Sequence, residues 1–319
     1  MPEHTIPESL IQTIKSGRAV LVVGAGLGLP SWKQLLEKMN DRLAEQGPAE
    51  PNSANGSNAD VDANATKDVA KLLHKGSLAR AAGFLARALG PEVCDEIVAA
   101  TWSTPEPLPE LAVALGKLPF RQVWTTFPGD VLERAMAADR PDDWPEPAVV
   151  TYREAAEISP RRRTLLKILG DFESYAVTPA SLRRALASAD ELRQYAREFY
   201  RQGTLVLVGF RYGDPDLGAL LDRVLGVFDV PESRHYMVAS GVGPVTVDEL
   251  KHEHHIEVIN LPGKGVDDTA TTALLDYLRA LSAACSEAGI TPAPAAPDAD
   301  DLDGWVAVWK DDPEAAAAA

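Results

Sequence analysis

A chain of 319 residues with 45% hydrophobic side chains can bury a substantial core in one large domain or two modest ones. Its formal net charge of -16 repels nucleic acid phosphates, so we expect no nucleic acid binding by this chain alone. The two cysteines, Cys94 and Cys285, lie in apolar helical patterns, which argues against a disulfide framework. The sequence has no signal-like start and no long apolar run. The sequence therefore predicts a soluble cytoplasmic protein that does not enter a membrane.

The first predicted elements are a buried strand, a glycine turn and a helix. The continuous apolar run over residues 19–23 is typical of a strand buried on both faces of a parallel sheet. The turn Gly24-Ala25-Gly26-Leu27-Gly28 follows at once. Apolar spacing then predicts a helix over residues 32–43, with Ser31 as its N-cap.

A polar insertion and a helical region come next. Residues 47–66 consist of Pro, Asn, Ser, Ala, Gly and Asp without hydrophobic periodicity, so we interpret them as a mobile insertion. From 67 to 118 the apolar spacing is helical throughout. This pattern predicts a small helical subdomain inserted after the first strand and helix.

Strand patterns then alternate with helical patterns up to residue 288. The predicted strands cover residues 122–126, 148–150, 165–169, 204–208, 235–238 and 256–259. The predicted helices cover residues 129–138, 179–200, 215–228, 245–253 and 267–287. This alternation predicts an α/β fold in which residues 1–288 form a doubly wound, Rossmann-like parallel sheet. The basic run 161–163 lacks interleaved aromatic side chains, so we interpret it as a solvated segment ahead of its strand.

Ligands bind beyond the carboxyl ends of the strands in such a sheet. The residues expected to converge there on one crevice are Gly24, Thr126, Leu169 and Gly209. The glycine turn places backbone N–H groups and a helix N-terminus at one spot, which suits a phosphate. The third glycine is not at the dinucleotide-binding spacing, however, and a tight turn without a ligand explains the turn alone about equally well.

The last segment differs in composition from the rest of the chain. Residues 289–319 are rich in Pro, Ala and Asp, which predicts a disordered acidic tail. Trp305 and Trp309 form an apolar island within it. Exposed tryptophans typically contact a partner surface, so these two residues are the predicted partner-binding positions, with homo-oligomerisation left open.

Four segments in order carry a family resemblance. They are residues 22–26 with 29–32, residues 124–126 with Asp130 and Glu133, residues 165–171 with 177–178, and residues 207–210 with 214–217. Together they resemble the sirtuin-like family found in bacterial antiphage and NAD-depleting systems, over about residues 6 to 285. The resemblance implies NAD or ADP-ribose as the bound ligand. The cofactor-binding positions that it implies are Gly24, Ala25, Gly26, Thr126, Asp130, Gly209 and Arg211.

The departures from the family pattern concern the catalytic positions. Where catalytic relatives have an asparagine and a histidine, this chain has Phe127 and Leu169. Neither side chain can exchange a proton, so the resemblance implies a degenerate active site without catalytic residues. Small polar residues of the family are replaced by Gly28 and Arg211. Arg211 either binds a ligand anion or forms an internal ion pair with Asp130 or Asp214, and we favour the ion pair.

Two further patterns have simpler interpretations. Asp214 and Asp216 are expected to cap a helix that begins at residue 215, and the run 252–255 with three histidines is expected to be a solvated helix end rather than a metal site.

The sequence therefore predicts a catalytically inactive sirtuin-like scaffold or nucleotide-sensing subunit of a bacterial defence or toxin-like assembly. It is expected to require no cofactor, to accept NAD or ADP-ribose as a bound ligand, and to bind protein partners through its surface and tail. The alternative is an NAD glycohydrolase whose catalytic residues have moved, to Asp130, Glu133 or His74, or are supplied by a partner.

Overall fold

Seven parallel strands form the centre of the described part of the protein. The strands are β1 (Ala19–Val23), β2 (Gln122–Thr125), β3 (Ala148–Thr151), β4 (Thr164–Lys167), β5 (Thr204–Val208), β6 (His235–Ser240) and β7 (Ile256–Leu261). Their order in the sheet is β3-β4-β2-β1-β5-β6-β7, and all neighbours are parallel. The computed structural model describes residues 6–26, 28–46, 64–138, 140–158, 162–171, 190–210, 217, 234–264 and 267–292.

Helices cover both faces of this sheet, and a 3-10 segment, Tyr152–Glu157, follows β3. The helices are α1 (Glu8–Lys15), α2 (Trp32–Gln46), α3 (Ala65–His74), α4 (Leu78–Leu89), α5 (Pro91–Thr101), α6 (Glu110–Gly116), α7 (Val131–Ala137), α8 (Asp190–Gln202), α9 (Pro244–Glu253) and α10 (Asp268–Glu287). The predicted doubly wound, Rossmann-like α/β fold is confirmed.

The core is divided by the alternation of side chains along the strands. In β1, Leu21 and Val23 face a cluster that includes residues of α1 to α7 and α10, whereas Val20 and Val22 face a second cluster with α8 and α9. The predicted helical region 67–118 is confirmed as α3 to α6. It shares the first of these clusters with the sheet, so it has no separate core of its own.

The sheet reverses its direction of growth next to β1. The chain builds β2, β3 and β4 on one side of this strand and then crosses to build β5, β6 and β7 on the other. The crevice of such a sheet is expected where the carboxyl ends of the two diverging strands meet, which here are β1 and β5. This geometry defines where a ligand site is to be sought.

The basic run before β4 corrects one prediction. Arg162 is exposed as expected, but Arg163 is only 1% exposed, so the interpretation as a solvated segment is wrong for this residue. Its guanidinium donates to the carbonyl oxygen of Gly116 at 3.0 Å and lies 5.0 Å from the centre of the Trp144 ring. A buried carbonyl and an aromatic face therefore replace water around this charge.

Several predictions fall outside the described residues. They concern most of the insertion 47–66, the first part of the helix 179–200, nearly all of the helix 215–228, and the tail from residue 293 with Trp305 and Trp309. The insertion ends earlier than predicted, because α3 already begins at Ala65. The division into domains stays a prediction.

The cysteines and the histidine run are described. Cys94 and Cys285 are free and buried, as predicted, and burial raises the pKa of each thiol to about 11. His252 is exposed on the last turn of α9, where it lies 3.5 Å from Asp248. No helix among the described residues combines the length and the apolar character needed to cross a bilayer.

His235, the first residue of β6, is fully buried. Its Nδ1 accepts a hydrogen bond from the backbone N–H of Leu205 at 3.1 Å, which assigns the proton of the neutral ring to Nε2. The Tyr200 ring lies 4.4 Å from the imidazole. Burial lowers the pKa of His235 to about 3, so the neutral ring is the form that the fold holds.

We expect acid to destabilise the fold through His235. The unfolded state takes up a proton near pH 6.5 while the folded state does not, so stability present above that pH is lost as the pH falls towards 3, by about 1.4 kcal/mol per pH unit. Urea unfolding between pH 7 and pH 5 checks this. His235→Asn, which keeps an acceptor for the Leu205 N–H, should flatten the pH dependence of the free energy of unfolding, and an unchanged slope would contradict the assignment.

Candidate functional site

The glycine turn after β1 is packed directly against the end of β5. Gly24 and Gly26 donate their backbone N–H groups to the carbonyl oxygens of Val208 and Gly209, each at 2.9 Å. A Cβ on Gly24 or Gly26 would lie 2.6 or 2.7 Å from the Gly209 oxygen, which is closer than side-chain atoms can approach. Close packing of two chain segments therefore requires these glycines, and their amides are already used within the protein.

Two of the helix N-termini at this edge, those of α2 and α10, are also capped internally. At α2, Ser31 and Gln34 form a reciprocal capping box: the Ser31 N–H donates to Gln34 Oε1 at 2.8 Å, and the Gln34 N–H donates to Ser31 Oγ at 3.3 Å. The predicted N-cap is thus confirmed. At α10, Asp267 accepts from the N–H groups of Ala270 and Lys264 at 2.7 and 2.9 Å, and these bonds lower its pKa.

A cavity of about 400 Å³ lies between these elements. Its described walls combine the glycine turn, the start of α2, the ends of β5 and β6, and the first turns of α10. Apolar surface comes from Trp32, Phe210 and Leu274, and hydroxyl groups come from Ser31, Ser240 and Thr271. Such a mixture suits a ligand with a flat apolar part and several hydroxyls, and the volume lies within the range of about 300–1,000 Å³ for small-molecule sites. We call this cavity the β1/β5 crevice.

The predicted convergence holds only for residues that follow β1 and β5. Ala25, Gly26 and Gly209 line the β1/β5 crevice, and Gly24 packs behind them against Gly209. The residues that do not line it are Thr126, Phe127, Asp130 and Leu169. They follow β2 and β4, which lie on the other side of β1. Arg211, with its two alternative roles, lies outside the described residues.

The segment after β2 is bonded onto β1. Thr126 donates its N–H to the Val23 carbonyl oxygen at 3.1 Å and is only 2% exposed. Thr125 Oγ1 donates to the same oxygen at 3.0 Å and accepts the N–H of Phe127 at 3.0 Å. These hydrogen bonds fix the position of the backbone at Thr126 and Phe127.

Phe127 occupies a core position on the helical face. It is 1% exposed, and its ring packs edge to face with Trp102 at 5.5 Å, which packs in the same way with Trp32 at 5.4 Å. Trp102 is anchored by a 2.7 Å hydrogen bond from its Nε1 to the Pro30 carbonyl oxygen. This aromatic row, Phe127-Trp102-Trp32, connects the segment after β2 to the wall of the β1/β5 crevice.

Leu169 lies in the other core cluster. It is 2% exposed and belongs to the same buried group as Trp124, Leu207 and Phe210, whereas Phe127 belongs to the group around Trp102. Phe127 and Leu169 therefore pack in different parts of the core. Leu169 lies beyond the end of β4 at Lys167, so the alternation of a strand no longer determines which way it faces.

The carboxylates near Phe127 are engaged within the protein. Asp130, exposed just before α7, accepts a hydrogen bond from the Thr104 hydroxyl. Glu133 Oε1 lies 2.5 Å from Lys167 Nζ, which also donates to the Pro128 carbonyl oxygen at 3.1 Å. The side chains of Lys167 and Glu133 are 8% and 21% exposed. This ion pair was not predicted, although a lysine inside the apolar run 165–169 was a signal that a buried partner exists.

Comparison with known proteins relates part of the chain to a family. Residues 121–259 match the family model of the SIR2-like domain, and no curated protein matches the chain. The matched segment is less than half of the chain, begins just before β2 and ends in β7. This segment is sirtuin-like, which confirms the predicted resemblance for residues 121–259. That Phe127 and Leu169 mark a degenerate active site stays a prediction.

We expect Phe127→Ala to lower the free energy of unfolding by about 3–5 kcal/mol, because it leaves a cavity beside Trp102 and Gly129. Urea denaturation measures the loss. Phe127→Leu should cost much less, since it restores most of the volume. Unchanged stability of Phe127→Ala would contradict the core position described here.

We expect Glu133→Gln to lower stability by about 2–3 kcal/mol, because it leaves the buried Lys167 ammonium without its counter-charge, with some solvent compensation at the partly exposed glutamate. The double variant Lys167→Met with Glu133→Leu should lose less than the sum of the single changes in a thermodynamic cycle. The exposed pair Arg279 and Glu110 provides the control, where Glu110→Gln should change stability by under about 1 kcal/mol.

Proposed function

We propose that the protein is a non-catalytic sirtuin-like subunit that binds NAD or ADP-ribose as a sensed ligand and acts through protein partners. One observation carries the proposal. At the two positions where the family resemblance implies an amide and an imidazole, the chain has Phe127 and Leu169, and both side chains are packed in the core. A phenyl ring and an isobutyl group can neither orient water nor accept a proton.

The surrounding polar groups support the same conclusion. Glycoside cleavage in NAD needs a group that accepts or positions a proton beside the nicotinamide ribose. The carboxylate of Asp130 is engaged by Thr104, and that of Glu133 by Lys167. In both pairs the carboxylate fixes a neighbouring segment in place, which is a structural task.

The β1/β5 crevice supports ligand binding without cleavage. Its hydroxyls at Ser31, Ser240 and Thr271 can bond to ribose, and its apolar walls suit a flat base. The amides of Gly24 and Gly26 are already bonded to β5, so the crevice favours the adenosine part of a ligand over its phosphates. The residues present thus fit one half of a dinucleotide. NAD bound there would supply the ligand that is sensed and no chemistry.

The proposal extends to the biological setting through the family resemblance. Sirtuin-like proteins of this type occur in bacterial antiphage and NAD-depleting systems, so we propose that the subunit belongs to a bacterial defence or toxin-like assembly. Trp305 and Trp309, in the acidic tail, are the proposed contacts with a protein partner.

A second candidate function is an NAD glycohydrolase with relocated or partner-supplied catalytic residues. The observation in its favour is that Asp130 and Glu133 both lie at the start of α7, directly after the segment that carries Phe127. The remaining relocated candidate, His74, is exposed in the last turn of α3.

We expect the purified chain to release no nicotinamide from NAD, because it has no general base at the implied positions. Chromatographic detection of nicotinamide at high protein concentration checks this, both for the chain alone and with the proteins encoded beside it. Release that scales with protein and is lost in Asp130→Asn or Glu133→Gln would establish the hydrolase instead. Release only with a partner would establish partner-supplied catalysis.

We expect NAD or ADP-ribose to bind in the β1/β5 crevice and to raise the melting temperature, since a ligand that binds only the folded state stabilises it. Calorimetric titration measures the affinity. Thr271→Phe places a bulky ring in the crevice and should weaken binding at least about tenfold, whereas Thr272→Phe, exposed next to it and not part of the crevice wall, should not. Absence of heat and of stabilisation at millimolar ligand would leave a scaffold without a nucleotide.

A further inference from the structure

A second cavity, of about 480 Å³, lies at the opposite edge of the sheet. Gly116 and Pro119 line it just ahead of β2, and Ser286 and Ile290 line it at the end of α10. Arg140 lines it shortly after the end of α7. It therefore faces the amino-terminal ends of the strands and is separate from the β1/β5 crevice. We call it the amino-edge cavity.

A buried cation lies directly behind its wall. Arg163, the residue before β4, contacts two wall residues: it donates to the Gly116 carbonyl oxygen at 3.0 Å and lies 5.0 Å from the centre of the Trp144 ring. It is 1% exposed, and its Nε and Nη1 have no hydrogen-bond partner in the described part of the chain. An arginine carries five N–H donors, so the described residues leave most of the bonding capacity of this group unused.

This arrangement is costly unless an anion completes it. Burial, reinforced by the nearby charge of Arg140, lowers the pKa of Arg163 to about 10, so the guanidinium is still charged at neutral pH. A buried charge needs a partner of opposite sign. Arg140 instead adds a second positive charge, and its guanidinium is directed to the Trp144 carbonyl oxygen. Two neighbouring like charges repel each other, and a negative group placed between them would relieve that repulsion.

The other wall residues indicate which kind of molecule would carry such an anionic group. Charged side chains in the wall are Lys117, Arg140 and Asp143, so cations outnumber acids there. Trp144 and Ile290 provide apolar surface, and Ser286 provides a hydroxyl at the end of α10. The volume is that of a small-molecule site.

We propose that the amino-edge cavity binds a small organic anion, a carboxylate or a phosphate group on a compact apolar body, with Arg140 as its direct contact and Arg163 as the buried charge behind it. The planar fork of a guanidinium matches both kinds of oxyanion. This site is independent of nucleotide binding at the β1/β5 crevice.

The test is calorimetric titration of the full chain with three probes: benzoate, phenyl phosphate and inorganic phosphate, with benzyl alcohol as the uncharged comparison. We expect at least one aromatic anion to bind and benzyl alcohol not to bind. Binding of benzoate alone identifies a carboxylate site, and binding of phenyl phosphate alone a phosphate site. Inorganic phosphate should bind more weakly than phenyl phosphate, because it lacks the apolar body.

Arg140→Ala should weaken the binding at least about tenfold, since a hydrogen bond to a charged group contributes about 1.5–3 kcal/mol and 1.4 kcal/mol corresponds to a factor of ten. The affinity of the Arg140→Lys variant should lie between that of Arg140→Ala and that of the unchanged protein. Arg162→Ala removes the same charge from an exposed position next to Arg163 and should change the affinity less than about twofold. Arg140 is partly exposed, so its variants are expected to fold, which thermal unfolding verifies.

Two outcomes overturn the proposal. One is that none of the three anions binds at millimolar concentration to the folded protein. The other is that an anion binds with an affinity that Arg140→Ala and Arg162→Ala affect equally, because the binding then reflects general charge and not the cavity. Neither outcome bears on nucleotide binding, which Thr271→Phe tests at the other edge of the sheet.

Discussion

The approach of the glycine turn to the end of β5 is the contact on which the carboxyl edge of this protein depends. Gly24 and Gly26 lie so close to Gly209 that neither position accommodates a Cβ, and their amides extend the pairing of β1 with β5 past the last strand residue. The contact joins the two halves of the sheet where its direction of growth reverses. It also forms one side of the β1/β5 crevice and uses the amides of Gly24 and Gly26, which are then not free to bind a phosphate. A glycine turn that resembles a nucleotide site in sequence is here first a packing device.

The two edges of the sheet differ in how their charges are satisfied. At the carboxyl edge, Asp130, Glu133 and Asp267 each accept from a group of the same chain, so the polar side chains there hold segments in position. At the amino edge, Arg163 is buried with a second arginine nearby, and its Nε and Nη1 have no hydrogen-bond partner among the residues that the structure describes. Internal pairing favours rigidity, and an unsatisfied buried charge favours a ligand.

The sequence predicted the strands and the fold class well, because continuous apolar runs such as residues 19–23 and 204–208 need a sheet covered on both faces. The capping box at Ser31 was also predictable from local spacing. Three features were not. The burial of Arg163 depends on Gly116 and Trp144, which are remote in sequence and local in space. Thr126 and Leu169 lie outside the β1/β5 crevice because they follow strands on the other side of β1. This placement could not be predicted, since hydrophobic periodicity does not give the order of the strands. Phe127 and Leu169 pack into different core clusters. This difference could not be predicted, because both residues follow the last residue of a strand, where the alternation of side chains ends.

The aromatic row that includes Phe127 limits the substitutions that position 127 tolerates. Its phenyl ring fills space between packed side chains, so both its volume and its apolar character matter for folding. An amide at position 127 would have to be introduced into a packed row with Trp102, and the fold would be weakened before any reactivity could be gained. A polar side chain at this position therefore requires coordinated substitutions among its packed neighbours, because a single change leaves an unpaired polar group in the core.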